Sequence, residues 1–140
     1  MVGSTSLPTP QQWKRLTASS TRYGLLVDLY ELVHWDERVS FTTTGTHSLS
    51  DYWDFFCEDF MFRDNPESMV GQSLFEDELP YIQNFIDVFE PFVKSIPDEV
   101  FCLPRNEADI PLPLSVSERA MELYKKLLEK GDPKIEQYLK

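Results

Sequence analysis

The sequence predicts an all-α protein, an irregular single-domain bundle of about five to six helices with at most one short strand. Apolar residues recur at helical spacing in several segments, and helix-start signals precede these segments. No segment gives a confident strand pattern. Because 140 residues are about one domain's length, residues 1–140 are expected to form a single helical domain, with residues 1–8 flexible.

The first helical region begins at a helix-start signal. Thr9 as N-cap and Pro10 at the first helical position predict a helix from Pro10. The following Thr and Ser residues and Gly24 weaken helix, so a break or bend is expected there, followed by a stronger helix. Leucines recur along that second helix, and Asp28 and Glu31 are predicted to face away from its apolar side.

Residues 38–48 are rich in Thr and are predicted to form a loop, with at most one short strand over residues 39–43. Ser48 and Asp51 then approximate a capping box, which predicts a helix beginning at Leu49. This helix contains DYWDFFCEDFMFRD, residues 51–64, in which rings and carboxylates alternate closely.

At 100° per residue this helix has two distinct sides. The side predicted to face the core carries Tyr52, Trp53, Phe56, Cys57 and Phe60. The opposite side carries the candidate partner-binding residues, Asp51, Asp54, Phe55, Glu58, Asp59 and Phe62. Two interpretations stay open: a neighbouring element, such as the connection around residues 101–114, covers both phenylalanines, or the two rings are exposed among acids and bind a basic, partly apolar partner.

The next two helical segments also begin at recognisable signals. Asn65 followed by Pro66 predicts a short helical segment that closes near Gly71. A strongly amphipathic helix is expected from about Asp77, and Pro91 should kink it or end it early.

The C-terminal part combines a connection with two helices. Residues 97–114 contain four prolines and are predicted to be a long proline-rich connection. Ser115 and Glu118 suggest a capping box for a helix whose apolar face ends at Gly131, and Asp132 is expected to start a last short helix.

The charge distribution favours a basic partner. The net charge is -11, and residues 51–90 hold eleven acids against one base, Arg63. The negative electrostatic potential of these acids repels nucleic acid and anionic membranes, and it attracts a basic protein. The alternative is that the acidity only maintains solubility. Without a secretory signal or a long apolar run, the chain is expected to be cytoplasmic.

No motif indicates catalysis, a cofactor or a metal site. Cys57 and Cys102 are expected to be reduced thiols. His34 is interpreted as a helix-end histidine, although it could act as a general base oriented by Asp36 or Glu37. An enzyme with a carboxylate or histidine site therefore stays an alternative without a motif to support it.

The run from Leu49 to Lys130 resembles a small, uncharacterised family of bacterial, mainly actinobacterial, acidic helical proteins. The resemblance lies in LSDYWDFFCEDFMFRD, then PESMVG and a Phe, then an amphipathic helix and a closing helix. It implies a bacterial, helical, non-enzymatic protein, and it assigns no role to any residue.

Together these observations predict a small acidic cytosolic protein-binding protein. An immunity or antitoxin-type inhibitor of a basic partner is its most concrete version, because fast electrostatic association suits that role. The alternative is an adaptor or accessory subunit that docks through Phe55 and Phe62 or through the proline-rich connection. The sequence does not indicate an oligomeric state.

Overall fold

The structure is a computed structural model that describes residues 10–35, 47–104, 107 and 110–135. Within these residues there are five α-helices: α1 (Ser19–Val33), α2 (Leu49–Asp54), α3 (Leu79–Lys94), α4 (Asp98–Phe101) and α5 (Leu114–Leu128). The described residues also form three short 3₁₀ turns and one π-helical turn. The 3₁₀ turns are Gln11–Arg15, Pro66–Met69 and Glu76–Glu78, and the π-helical turn is Phe55–Asp59. No strand occurs in these ranges, so the all-α prediction is confirmed. The predicted short strand at residues 39–43 lies outside the described residues.

The core forms where α5 packs against both α1 and α3. These three helices are the longest of the described chain, and α3 and α5 bury the apolar stripes that their sequences predict. In α3 the stripe includes Ile82, Phe85 and Phe89, and in α5 it includes Leu123 and Leu127, all fully buried. Burial of these stripes is the main source of stability for helices of this length.

The predicted break before α1 is confirmed. The first segment is a 3₁₀ turn, Gln11–Arg15, with Pro10 at the cap position instead of the first helical position. The chain is then extended at Leu16 before α1 starts at Ser19. Gly24 does not interrupt α1, which runs unbroken to Val33.

Two expectations for the later helices concern where they begin and end. Pro91 does not end α3 early, because the helix continues to Lys94, with Pro91 exposed and the buried residues Phe89 and Val93 on either side of it. The alternative expectation, a kink at Pro91, stays a prediction. Ser115 is not the N-cap of α5: the helix starts at Leu114, and the amide of Val116 bonds to the carbonyl of Pro113.

The C-terminal connection is partly helical, since α4 forms one turn at residues 98–101. After α5, residues 131–134 are not helical, and Ile135 is buried. The rest of the predicted last helix lies outside the described residues.

A buried ion pair joins these elements at the centre of the core. Arg22 of α1 donates from Nη1 to Glu78 Oε1 at 2.9 Å and from Nη2 to Glu78 Oε2 at 2.5 Å. The guanidinium also donates to the carbonyls of Ser73 and Leu127, at 3.0 Å each. Leu127 O is one of the last carbonyls of α5, which have no partner inside the helix. One side chain thus ties α1 to the start of α3 and to the end of α5.

No helix of the described residues is both long enough and apolar enough to span a lipid bilayer.

Candidate functional site: an acidic pocket

The helix that carries the acid-rich stretch starts as predicted and then changes its geometry. Ser48 Oγ accepts from the Asp51 amide at 3.1 Å, and the Asp51 carboxylate accepts from the Ser48 amide at 2.9 Å, which confirms the capping box. Regular α-helix ends at Asp54, and residues 55–59 form a π-helical turn. The chain then leaves the helix at Met61, whose φ of 57° is left-handed.

This change of geometry places Phe62 in the core. The amide of Phe62 donates to the Phe56 carbonyl at 2.9 Å, which closes the end of the π turn. Phe62 is 1% exposed, stacks on Phe56 at 5.5 Å between ring centroids and contacts Phe85 edge-on at 6.5 Å. The expectation that Phe62 lies on the acidic side is therefore wrong, because a spacing of 100° per residue no longer applies beyond Asp54. Phe62 is a core residue, covered by the rings of Phe56 and α3.

The other candidate partner-binding residues lie nearer to solvent. Asp54, Glu58 and Asp59 are exposed, and Phe55 is half-buried against the core. Asp51 is used in the capping box, and its Oδ2 lies 3.8 Å from His47 Nδ1.

Phe55, Glu58 and Asp59 line one wall of an open cavity of about 560 Å³. We call this cavity the acidic pocket; its lining residues are Thr21, Gly24, Asp28, His47, Phe55, Glu58, Asp59 and Phe60. Its volume lies within the range of about 300–1,000 Å³ that is typical of ligand sites.

Helix α1 forms the opposite wall of the acidic pocket. Thr21, Gly24 and Asp28 are spaced by three and four residues and therefore share one face of the helix. A Cβ added at Gly24 would meet no heavy atom within 4 Å, so no close packing accounts for this glycine. Glycine costs a helix interior roughly 0.5–1 kcal/mol relative to alanine, and here it leaves the pocket wall open.

Asp28 is the most perturbed group of the acidic pocket. Burial, as the largest cause, and the nearby charges of Glu31 and Asp59 together raise the pKa of this carboxyl from 3.8 to about 8. Glu31 itself is 1% exposed and accepts a hydrogen bond from the Tyr52 hydroxyl at 2.8 Å. The expectation that Asp28 and Glu31 face away from the core is therefore wrong for Glu31, which is buried, and for Asp28, which is only partly exposed.

The aromatic side of the acidic pocket is formed by three rings. His47 lies edge-on to Phe55, at 5.3 Å between ring centroids and an interplanar angle of 90°. Phe60 is 3% exposed and anchors the base of the π turn in the core. Carboxylates and aromatic side chains therefore line one concavity.

Two acids elsewhere on the described surface, Asp77 and Glu90, each have two cations beside them. Asp77 lies 2.5 Å from Lys130 and 3.2 Å from Lys126, and hydrogen bonding by these lysines holds the pKa of Asp77 below its usual value. Glu90 pairs with Arg63 at 2.8 Å and with Lys94 at 2.9 Å.

A second groove of about 570 Å³, between α3 and α5, likewise has internally paired charges, such as Arg119 with Glu122 at 2.9 Å. In contrast, no lysine or arginine of the described chain forms an ion pair with Asp28, Glu58 or Asp59. The carboxylates of the acidic pocket therefore differ from Asp77, Glu90 and Glu122 by their lack of a counter-charge.

The remaining chemical candidates lie apart from this pocket. His34 closes α1, its Nδ1 lies 2.9 Å from the Tyr30 carbonyl, and it is not among the residues that line the pocket. Cys57 and Cys102 are free thiols, and burial raises the pKa of Cys57 to about 11. In the ranges that the structure describes, no group of three or more His, Cys, Asp or Glu side chains is arranged to hold a metal ion.

Asp28 was not identified from the sequence as a candidate site residue, although one signal of its burial was present. Helix α1 also carries Tyr23, Val27, Tyr30 and Val33, so apolar residues occur around its whole circumference. A helix that is apolar all round is buried on most sides, and acids within it are shielded from solvent.

The resemblance of residues 49–130 to a bacterial protein family stays a prediction. Compared with protein-family models, with curated proteins and with solved structures, the chain matches none.

Proposed function

We propose that this chain is a small protein-binding protein that engages a basic partner through the acidic pocket and the adjoining π turn. The observation that carries the proposal is the set of carboxylates Asp54, Glu58 and Asp59, exposed together and without a cationic partner among the described residues. Rim charges of this kind speed the encounter with a partner of opposite charge and discriminate against acidic proteins.

The proposed partner surface is smaller than the six residues that the sequence suggests. Phe62 is excluded because it is buried in the core, and Asp51 is largely committed to the capping box. Phe55, which is half-buried, supplies an apolar edge beside the carboxylates. An adaptor that docks through an exposed pair of phenylalanines is therefore not supported.

An immunity or antitoxin-type inhibitor is the most concrete version of this proposal. Small size and a net charge of -11 suit the rapid neutralisation of a basic nuclease or similar toxin. We further propose that the protein acts in the cytoplasm. The first candidate partner is the product of the neighbouring open reading frame, if that product is basic.

The test is co-purification of the tagged chain with proteins of its host, followed by reconstitution with the purified partner. The variant Asp54→Lys/Glu58→Lys/Asp59→Lys is compared with a matched variant in which three exposed acids outside the pocket are reversed, Glu67→Lys/Asp87→Lys/Glu99→Lys. Both variants change the net charge equally, so a general charge effect lowers binding in both.

The proposal predicts that only the first variant loses the partner, and that affinity for the wild-type chain falls by about tenfold or more between 50 and 300 mM NaCl. Circular dichroism is used to check that both variants keep their helical content. Equal binding by the wild type and the first variant would refute the proposal.

A further inference from the structure

Three reasons connect the acidic pocket with a cation from outside the chain, and the third distinguishes a guanidinium from an ammonium. The first is the balance of charge. Asp28, Glu58 and Asp59 lie around one cavity without a lysine or arginine beside them, while Asp77 and Glu90 each have two cations within 3.2 Å. The pocket therefore has room for at least one positive charge.

The second reason is the shape of the cavity. Its wall on α1 includes Gly24, where even a Cβ would meet nothing within 4 Å. Packing within the chain does not require a glycine there, so the open space is available to a group from outside.

The third reason is the combination of carboxylates with aromatic side chains. Phe55 and Phe60 line the same cavity as the three acids. A planar guanidinium pairs with carboxylates through two parallel hydrogen bonds and stacks on aromatic faces, whereas an ammonium is a strongly hydrated point charge. Among the residues that the structure describes, no His, Cys, Asp and Glu cluster suits a metal ion instead.

We infer that the acidic pocket receives an arginine side chain of the basic partner, with the guanidinium held between the carboxylates of Asp28 and Asp59 and against the ring of Phe55. This inference rests on the proposed function and names the group of the partner that the site recognises. Asp28 is half-buried, and burial together with the charges of Glu31 and Asp59 raises its pKa to about 8, which agrees with a carboxyl that lacks a cation in the free protein.

The experiment uses the full chain and three tripeptide probes that differ in one side chain: acetyl-Gly-Arg-Gly-amide, the lysine analogue and the uncharged citrulline analogue. Binding is followed by amide chemical shifts in a ¹⁵N NMR titration. The arginine probe is expected to shift the amides around Gly24 and Asp59 and to bind about tenfold more tightly than the citrulline probe. Equal binding of the arginine and citrulline probes, or tighter binding of the lysine probe, would overturn the inference.

Two leucine variants of α1 test whether the probe enters the pocket. Gly24→Leu places a side chain on the pocket wall, and the residue it replaces is a poor helix former, so α1 is expected to stay folded. Ser20→Leu adds the same side chain at an exposed position that does not line the pocket. Gly24→Leu should abolish binding of the arginine probe, and Ser20→Leu should leave it unchanged. Full binding by Gly24→Leu would place the probe elsewhere and overturn the inference.

The same variants separate this inference from the proposed function. A partner that is lost by Asp54→Lys/Glu58→Lys/Asp59→Lys but retained by Gly24→Leu would support the acidic surface and refute the arginine pocket. If the wild-type chain binds the arginine probe in the pocket but the same partners bind with and without the three lysines, the pocket is a guanidinium site, and both the proposed function and an arginine supplied by that partner are refuted.

Discussion

We predict that Glu78→Gln lowers the free energy of unfolding by about 3–5 kcal/mol, because it leaves the Arg22 guanidinium buried without its counter-charge. Both side chains are fully buried, and two of the four hydrogen bonds of Arg22 go to Glu78. Glutamine keeps the shape of the side chain but removes the charge and can accept only one of these two bonds. The loss is a large part of the roughly 5–15 kcal/mol that stabilises a typical domain.

The assay is urea denaturation followed by circular dichroism at 222 nm. Glu90→Gln is the matched control, because Glu90 also pairs with two cations but lies at the surface, where such pairs contribute about 1 kcal/mol or less. The double variant Arg22→Met/Glu78→Leu removes both charges and should recover a large part of the loss, as replacements of complete buried pairs do. If Glu78→Gln costs no more than Glu90→Gln, the pair does not hold α1, α3 and α5 together as described.

Three further predictions concern packing, backbone and thiols. Phe62→Ala should cost about 3–5 kcal/mol in a urea melt and Phe55→Ala clearly less, because only Phe62 is fully buried. Gly131→Ala should destabilise the chain by more than about 1 kcal/mol in the same assay, since Gly131 has a φ of 131° and a new Cβ would lie 2.3 Å from Pro10 Cβ. Cys102 should react with a thiol reagent at pH 8 at least about tenfold faster than Cys57, because Cys102 is exposed and burial raises the pKa of Cys57 to about 11.

Each of these predictions has a clear contrary result. Equal losses for the two phenylalanine variants would mean that Phe62 is not in the core. An unchanged melt for Gly131→Ala would mean that the end of α5 does not contact Pro10. Equal thiol rates would contradict the shielding of Cys57.

The helices of this chain could be predicted because their signals are local. Ser48 and Asp51 satisfy each other's amides across three residues, and the stripe around Phe85 in α3 follows from a spacing of three and four. The break before α1 could likewise be predicted, because it depends on the helix propensity of residues that are neighbours in the sequence.

The features that the sequence did not reveal depend on groups far apart in the chain. Arg22 and Glu78 are 56 residues apart, and neither is marked by a motif. Phe62 was predicted on the wrong side of the helix because the helix was assumed to stay regular. A π turn and a left-handed Met61 instead allow Phe56 and Phe62 to be buried together. Asp28 was assigned to solvent because the position of the π turn across the pocket from it could not be foreseen.

The pocket also makes the stability of the chain depend on pH. Because the pKa of Asp28 lies higher in the folded chain than its ordinary value of 3.8, the folded state holds this proton more tightly than the unfolded state. The contribution of Asp28 to stability is therefore greatest below pH 4, falls as pH rises toward 8 and is lost above it. Asp28→Asn should remove this part of the pH dependence, and the melting temperatures of the two proteins between pH 5 and 9 would reveal it.

The central claim is that the acidic pocket of the free chain contains carboxyls without a counter-charge. Its most direct test is a ¹³C NMR titration of the Asp28 side-chain carboxyl, assigned by comparison with Asp28→Asn. The structure predicts a midpoint near pH 8, which should fall when acetyl-Gly-Arg-Gly-amide is added, because a bound guanidinium favours the ionised carboxylate. A midpoint near the ordinary value of 3.8 in the free chain would contradict the account.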